Sequence, residues 1–217
     1  MMMKIFTYAY ILILVLFGLL PLVASGNQES EPLPTASDLS GPPITTVPGS
    51  ISDYEDYPVA VFAGGCFWGV ESLFENHSGV LDAVSGYTGG TMEFPTYRYI
   101  SMGNTGHVEA VAVFYDPEKT DFRTLAKYFF EIHDPTQEGG QGPDIGSQYE
   151  SVIFYGNGEE EATARNLIEI LEKEGYDIAT RVEERSAFYR AEGYHQDYYA
   201  NNGSTPYCHV YTKRFPD

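Results

Sequence analysis

The hexapeptide Gly64-Gly65-Cys66-Phe67-Trp68-Gly69 holds one of the two cysteines of this 217-residue chain and its only tryptophan. A thiol beside two aromatic rings suggests nucleophilic sulfur chemistry on a small, partly apolar substrate. The apolar run Pro58 to Ala63 precedes it and reads as a buried strand. Val70, Leu73 and Phe74 follow at helical spacing. Cys66 is therefore expected where a strand of residues 59–63 meets a helix of residues 66–76. The free N–H groups of a helix N-terminus favour a thiolate over a thiol. Gly64 and Gly65 permit the tight turn and leave room around the sulfur. The other reading of the same residues is a buried cysteine in an aromatic core.

The elements that must position this thiol follow downstream. Val80 to Ser85 reads as a strand entering a glycine-rich loop, Gly86-Tyr87-Thr88-Gly89-Gly90, that turns beside the pocket. His107 to Tyr115 reads as a strand stopped by Asp116-Pro117. Phe122 to His133 reads as a helix with Leu125, Phe129 and Ile132 on one face, Asp121 as its N-cap and Asp134-Pro135 as its stop. Residues 136–148 read as a long polar loop, Ser151 to Tyr155 as a strand, Glu159 to Glu174 as a helix ended by Gly175, and Ala179 to Arg185 as a strand. From Ser186 the chain is aromatic and irregular, and it is expected to wrap the core. Interspersed strands and helices with some neighbouring strands favour an α+β two-layer sandwich.

Residues 1–25 have Lys4 as their one charged side chain, an apolar run from Ile5 to Leu20, and small residues at Val23-Ala24-Ser25-Gly26. They read as a signal peptide or an N-terminal membrane anchor. Residues 26–56 contain Pro32, Pro34, Pro42, Pro43 and Pro48 among acidic, Ser and Thr residues, and read as a disordered linker. Residues 57–217 are then the globular domain, expected outside the cytoplasm, either secreted or held at the outer face of the cytoplasmic membrane. A net charge of −19 argues against nucleic-acid binding and reads as a solvated acidic surface. His107, His133, His195 and His209 show no ligand-like spacing with the cysteines, so no metal site is expected. In an oxidising compartment, Cys66 and Cys208 could also form one structural disulfide.

Several blocks occur in a fixed order. They are Gly65-Cys66-Phe67-Trp68-Gly69, Gly86 to Gly90, Pro95-Thr96-Tyr97, Gly106-His107-Val108-Glu109-Ala110, His133-Asp134-Pro135, Asp144, Gln148-Tyr149 and His195-Gln196. Together they resemble peptide methionine sulfoxide reductase A over essentially all of residues 58–210. The resemblance implies a two-layer α+β sandwich with a ferredoxin-like core, and reduction of the S epimer of methionine sulfoxide, free or in proteins, as repair of oxidative damage. Cys66 matches the nucleophile that becomes a sulfenic acid. Glu109 matches the acid that protonates the sulfoxide oxygen, a task for a carboxyl kept neutral by an apolar site. Tyr97 and Tyr149 match two phenols that hydrogen-bond that oxygen. Asp144 matches an acidic residue that positions the same polar network, and Phe67 with Trp68 matches the pocket for the substrate methyl group. Cys208 matches the resolving cysteine that closes a disulfide with Cys66. A thioredoxin-like dithiol, or dithiothreitol in vitro, would reopen it. No bound cofactor is implied and a monomer is expected. With one tail cysteine, a second relay disulfide is not available. His195 and Gln196 lie in a matching block, where His195 reads as a structural histidine or as a helper near the site.

Two other classes compete. A cysteine peroxidase would share the thiol pair but has no use for an aromatic methyl pocket with a Glu and two Tyr. A binding module stapled by Cys66–Cys208 would hold an inert bond.

Overall fold

A computed structural model describes Tyr54 and residues 57–216. The expected leader of residues 1–25 and, Tyr54 apart, the linker of residues 26–56 lie outside the described residues. Among those described, no helix is long and apolar enough to cross a membrane.

In chain order the elements are β1 (Val59–Gly64), α1 (Phe67–Glu75), β2 (Val80–Thr88), α2 (Tyr97–Ile100), β3 (Val108–Tyr115), α3 (Phe122–Ile132), β4 (Gly140–Gln141), β5 (Asp144–Ile145), β6 (Ser151–Tyr155), α4 (Gly158–Lys173), β7 (Arg181–Glu184), β8 (Tyr189–Arg190) and α5 (Tyr198–Asn202). One six-stranded sheet runs β7-β6-β1-β3-β2-β8, with β4 and β5 paired apart from it. Its four central strands are antiparallel, with Phe62 opposite Val111 on one side and Ile153 on the other. Two βαβ units, β1-α1-β2 and β3-α3-β6, interlock so that each places its second strand beyond a strand of the other. This is the ferredoxin-like arrangement. β7 extends the sheet parallel to β6.

The central strands are apolar on both faces, so they read as continuous hydrophobic runs rather than alternating ones. Ala60, Phe62, Val111, Val113 and Ile153 face the helical layer of α1, α3 and α4. Val61, Ala63, Ala110, Ala112, Phe114 and Val152 face the other side, where Phe188, Val59 and Tyr54 pack. Phe62 has no exposed surface and lies in a stack of rings, 5.0 Å from Phe129 and 5.2 Å from Phe74. α3 begins at Asp121, whose carboxylate accepts the Thr124 N–H at 2.7 Å. Asn157 does the same for α4, accepting from Glu159 and Glu160.

Three expectations are corrected. The strand read as ending at Ser85 continues through Thr88, so Gly86 is not part of a turn. A Cβ on Gly86 would sit 2.3 Å from the Phe188 ring and 2.5 Å from the Tyr189 carbonyl oxygen; the glycine lets β8 approach β2. The polar loop of residues 136–148 contains the β4–β5 ribbon, held at its base by the Gly146 N–H on the Gly139 carbonyl. The tail also has structure: β8 pairs with β2, α5 follows, and Gln196 donates to the Ser85 and Ala191 carbonyls while accepting from the Ser85 N–H. Beyond α5 the chain returns over α3. Thr212 N–H reaches the Glu131 carbonyl, the Tyr211 phenol reaches the Glu131 carboxylate, and Phe215 packs on Phe130.

Candidate active site

Cys66 is the N-cap residue of α1 and is 7 % exposed. Gly65 before it has φ +93°, and a Cβ there would fall 2.5 Å from Gln141 on the β4–β5 ribbon. Both the backbone angle and the close approach demand glycine. Glu109 reaches the same point from β3. It is 2 % exposed, and its carboxylate accepts the N–H of Phe67, the residue after Cys66, at 3.1 Å. Burial, with the neighbouring Cys66 and Asp144, pushes the Glu109 carboxyl well above the usual carboxylate range; the Phe67 N–H pulls the other way without prevailing.

Cys208 arrives on the returning tail. Both thiols are free, and Cys208 lies near enough to act on the proton of Cys66. The Cys208 thiol, then burial, raises the pKa of Cys66, while the Trp68 backbone N–H lowers it. The expectation of a resting thiolate at the helix N-terminus is therefore corrected. The helix-end N–H is present, but the second thiol and the loss of solvent outweigh it.

The remaining predicted residues converge here with one change. Tyr97, at the start of α2, and Tyr149, in the turn after β5, lie near each other, and both lie within the electrostatic reach of Glu109, Cys66 and Asp144. Burial raises both phenols, so both stay protonated donors. Asp144 on β5 accepts the Tyr207 hydroxyl at 3.1 Å. Of the two aromatic side chains beside Cys66, only Trp68 keeps partial exposure. Phe67 is 1 % exposed and lies beneath, against Trp68, Tyr87 and His195. Phe67 thus supports the wall, and Trp68 presents it.

Of the residues that hold these groups, the sequence pointed to His195 but not to Tyr198 or Glu192. Trp68 stacks on Tyr198 at 3.6 Å and donates its indole N–H to His195 Nδ1 at 3.0 Å. An indole N–H can only donate, so His195 Nδ1 is bare, and the ring is neutral, its pKa lowered by burial. Glu192 accepts the Tyr97 N–H at 2.9 Å and the Tyr87 hydroxyl at 2.8 Å, anchoring the start of α2. Position beside Cys208 could have drawn attention to Tyr207 and His209. Nothing local marks Glu192 or Tyr198.

Two neighbouring free thiols beside a buried carboxyl held above its usual range and a pair of phenols, on a ferredoxin-like sandwich, are the equipment of an oxidoreductase that acts on sulfur. Comparison with known proteins agrees. The family described as peptide methionine sulfoxide reductase matches residues 58–216. The chain is similar to peptide methionine sulfoxide reductase MsrA 1 of Rhodopirellula baltica, 49 % identical over 69 % of this chain and 79 % of that one. It is similar to MsrA of Methanosarcina acetivorans, 43 % identical over 82 % of this chain and 93 % of that one. Among solved structures it resembles reduced Mxr1 of Saccharomyces cerevisiae, with a TM-score of 0.66 at 33 % identity over 71 % of this chain and 91 % of that one. It also resembles methionine sulfoxide reductase A of Corynebacterium diphtheriae, with a TM-score of 0.64 at 33 % identity over 73 % of this chain and 82 % of that one. The chain belongs to the peptide methionine sulfoxide reductase A family. Its activity is reduction of methionine sulfoxide in the repair of oxidised proteins.

Proposed function

We propose that this chain reduces the S epimer of methionine sulfoxide, free or in proteins, through a sulfenic acid on Cys66 and then a Cys66–Cys208 disulfide. The observation that carries this reading is the buried Glu109 carboxyl, tied to the Cys66 helix turn through the Phe67 N–H and pushed well above the usual carboxylate range, with Cys208 acting on Cys66. A sulfoxide oxygen leaves poorly until it is protonated, and Glu109 can supply that proton. Tyr97 and Tyr149 donate hydrogen bonds to the same oxygen. Asp144, through Tyr207, orients the ring of polar groups. Cys66 attacks the sulfoxide sulfur, a bond forms between the two sulfurs, and the protonated oxygen leaves as water; a water then attacks the Cys66 sulfur, that bond breaks with its electron pair on methionine, and Cys66 is left as S–OH. The Trp68 backbone N–H favours the thiolate of Cys66 as it forms. Trp68, held by His195 and Tyr198 with Phe67 beneath, contacts the substrate methyl and so fixes which face of the sulfur meets Cys66.

Cys208 then closes the disulfide, and a thioredoxin-like dithiol reopens it. Residues 57–217 form the catalytic domain, acting as a monomer without a bound cofactor. The apolar run from Ile5 to Leu20, followed by small residues, supports placement outside the cytoplasm.

The test offers the full chain the separated S and R epimers of N-acetyl-methionine sulfoxide, and hydrogen peroxide, with excess dithiothreitol. Methionine release from the S epimer alone is expected. Turnover of peroxide in preference to either sulfoxide would replace this reading with that of a peroxidase.

A further inference from the structure

The mechanism above gives Cys208 no base, yet one stands against it. His209 is 5 % exposed, and its Nε2 lies 2.8 Å from the Gly64 carbonyl oxygen. A carbonyl oxygen only accepts, so Nε2 must carry the hydrogen. In the neutral ring Nδ1 is then a bare lone pair, and it lies 3.0 Å from the Cys208 sulfur. The ring packs against Gly69, where a Cβ would stand 2.2 Å from Nδ1 and 2.9 Å from Cε1. A side chain at 69 would displace the imidazole, which explains the last glycine of the cysteine motif in this chain. Base, attacking sulfur and target sulfur thus stand in order: His209 Nδ1 lies 3.0 Å from the Cys208 sulfur, and Cys208 is the neighbour that acts most strongly on Cys66.

We propose that His209 is the general base of the second half-reaction, taking the thiol proton of Cys208 as that sulfur attacks the sulfenic acid on Cys66. The inference rests on the sulfenic acid reading proposed above. The S–S bond forms as the S–O bond of the sulfenic acid breaks, and the electron pair of that bond leaves on oxygen. The proton held by His209 passes to the departing hydroxide, giving water. The Cys208 sulfur is oxidised and the Cys66 sulfur reduced to a shared disulfide level, so no outside oxidant is needed.

The surroundings keep the ring neutral, so that its Nδ1 lone pair is free to accept a proton. Burial lowers the His209 pKa from its ordinary value; the hydrogen bond to Gly64 and the charge of Asp144 oppose this in part. His133, also neutral and buried, adds no charge beside it, with its pKa lowered to about 3. Cys66 and Cys208 are the other titratable groups at hand. Proton transfer of this kind contributes about 10²–10⁴-fold to a step.

The test uses the full chain, reduced and then freed of reductant, mixed with one equivalent of methionine-S-sulfoxide and quenched over time. Methionine formed reads the first step, and the Cys66–Cys208 disulfide, trapped by alkylation and weighed, reads the second. His209→Gln can still donate an amide N–H to Gly64 but has no basic nitrogen for Cys208. His209→Ala leaves a space for added imidazole. Disulfide closure is expected to slow by about 10²-fold or more in both variants, with imidazole recovering part of the rate in His209→Ala. Closure at the wild-type rate in His209→Gln, or a slow His209→Ala that imidazole does not help, overturns the role of His209. A wild-type protein that forms methionine without ever forming the disulfide overturns the sulfenic acid reading beneath it and this inference with it.

Discussion

Glu109→Gln separates the acid's chemistry from its structural place. Gln matches Glu in size, and its amide oxygen can still accept the Phe67 N–H that Glu109 accepts at 3.1 Å. It has no acidic proton to give to a sulfoxide. Loss of a general acid costs about 10²–10⁴-fold in rate, which is roughly 3–5 kcal/mol in the barrier at 1.36 kcal/mol per tenfold. Stability should move the other way. The folded protein holds the Glu109 carboxyl protonated to a higher pH than the unfolded chain does, because the side chain is buried. Between those two pKa values the folded state binds the extra proton, so wild-type stability falls as pH rises through that window, by roughly 1.4 kcal/mol per pH unit. Glu109→Gln is neutral throughout and escapes this loss. At pH 4 the two proteins should unfold at similar denaturant concentrations. Above the ordinary carboxylate pKa the variant should become the more stable while remaining nearly inactive. Single-turnover methionine release and urea unfolding, each measured at pH 4, 6 and 8, provide the comparison. A variant within tenfold of the wild-type rate, or a stability gap that does not widen with pH, would refute the assignment of a buried, proton-donating Glu109.

Cys208→Ser should release one methionine per chain and then stop when thioredoxin is the reductant; repeated thioredoxin-driven turnover in that variant would remove Cys208 from the cycle. Phe62→Ala tests the packing beneath the site. Phe62 is fully buried among Phe74, Phe122 and Phe129, so truncation should cost about 3–5 kcal/mol in chemical denaturation, and a loss under 1 kcal/mol would mean that this ring stack is not the core.

The extent of the sheet was largely legible before any coordinates. β1, β3 and β6 are short, continuous apolar runs bounded by polar residues or proline, and such runs admit few alternatives to buried strands. α3 announced itself by Leu125, Phe129 and Ile132, and its cap by Asp121. β2 was read too short, because Gly86 resembles a turn residue when its neighbour Phe188 is unknown. The ribbon of β4 and β5 has two-residue strands, too short for any periodicity to reveal. Cys66, Glu109, Tyr97, Tyr149, Asp144 and Cys208 were all named from the blocks in which they stand. Glu192 and Tyr198 were not named, because their roles exist only across contacts with distant residues.

The sequence by itself determined which atoms are available for chemistry. It placed a thiol at the junction of a strand and a helix, a carboxylate on an apolar strand, a second thiol near the C-terminus, and the order of elements that interlock as a ferredoxin-like core. It also supported a thiolate at Cys66, since a helix N-terminus is a local property that neighbouring residues can reveal. Tertiary structure pushes the Cys66 thiol the other way. It buried Cys66, set Cys208 against it, and closed Glu109 off from water, and each of these acts through desolvation or through contact between residues far apart in the chain. The same return of the tail carries His209 across 145 residues of sequence to the Gly64 carbonyl. Proton affinity depends on surroundings in three dimensions, so which group is acid, base or nucleophile could be settled only after the chain had folded back on itself.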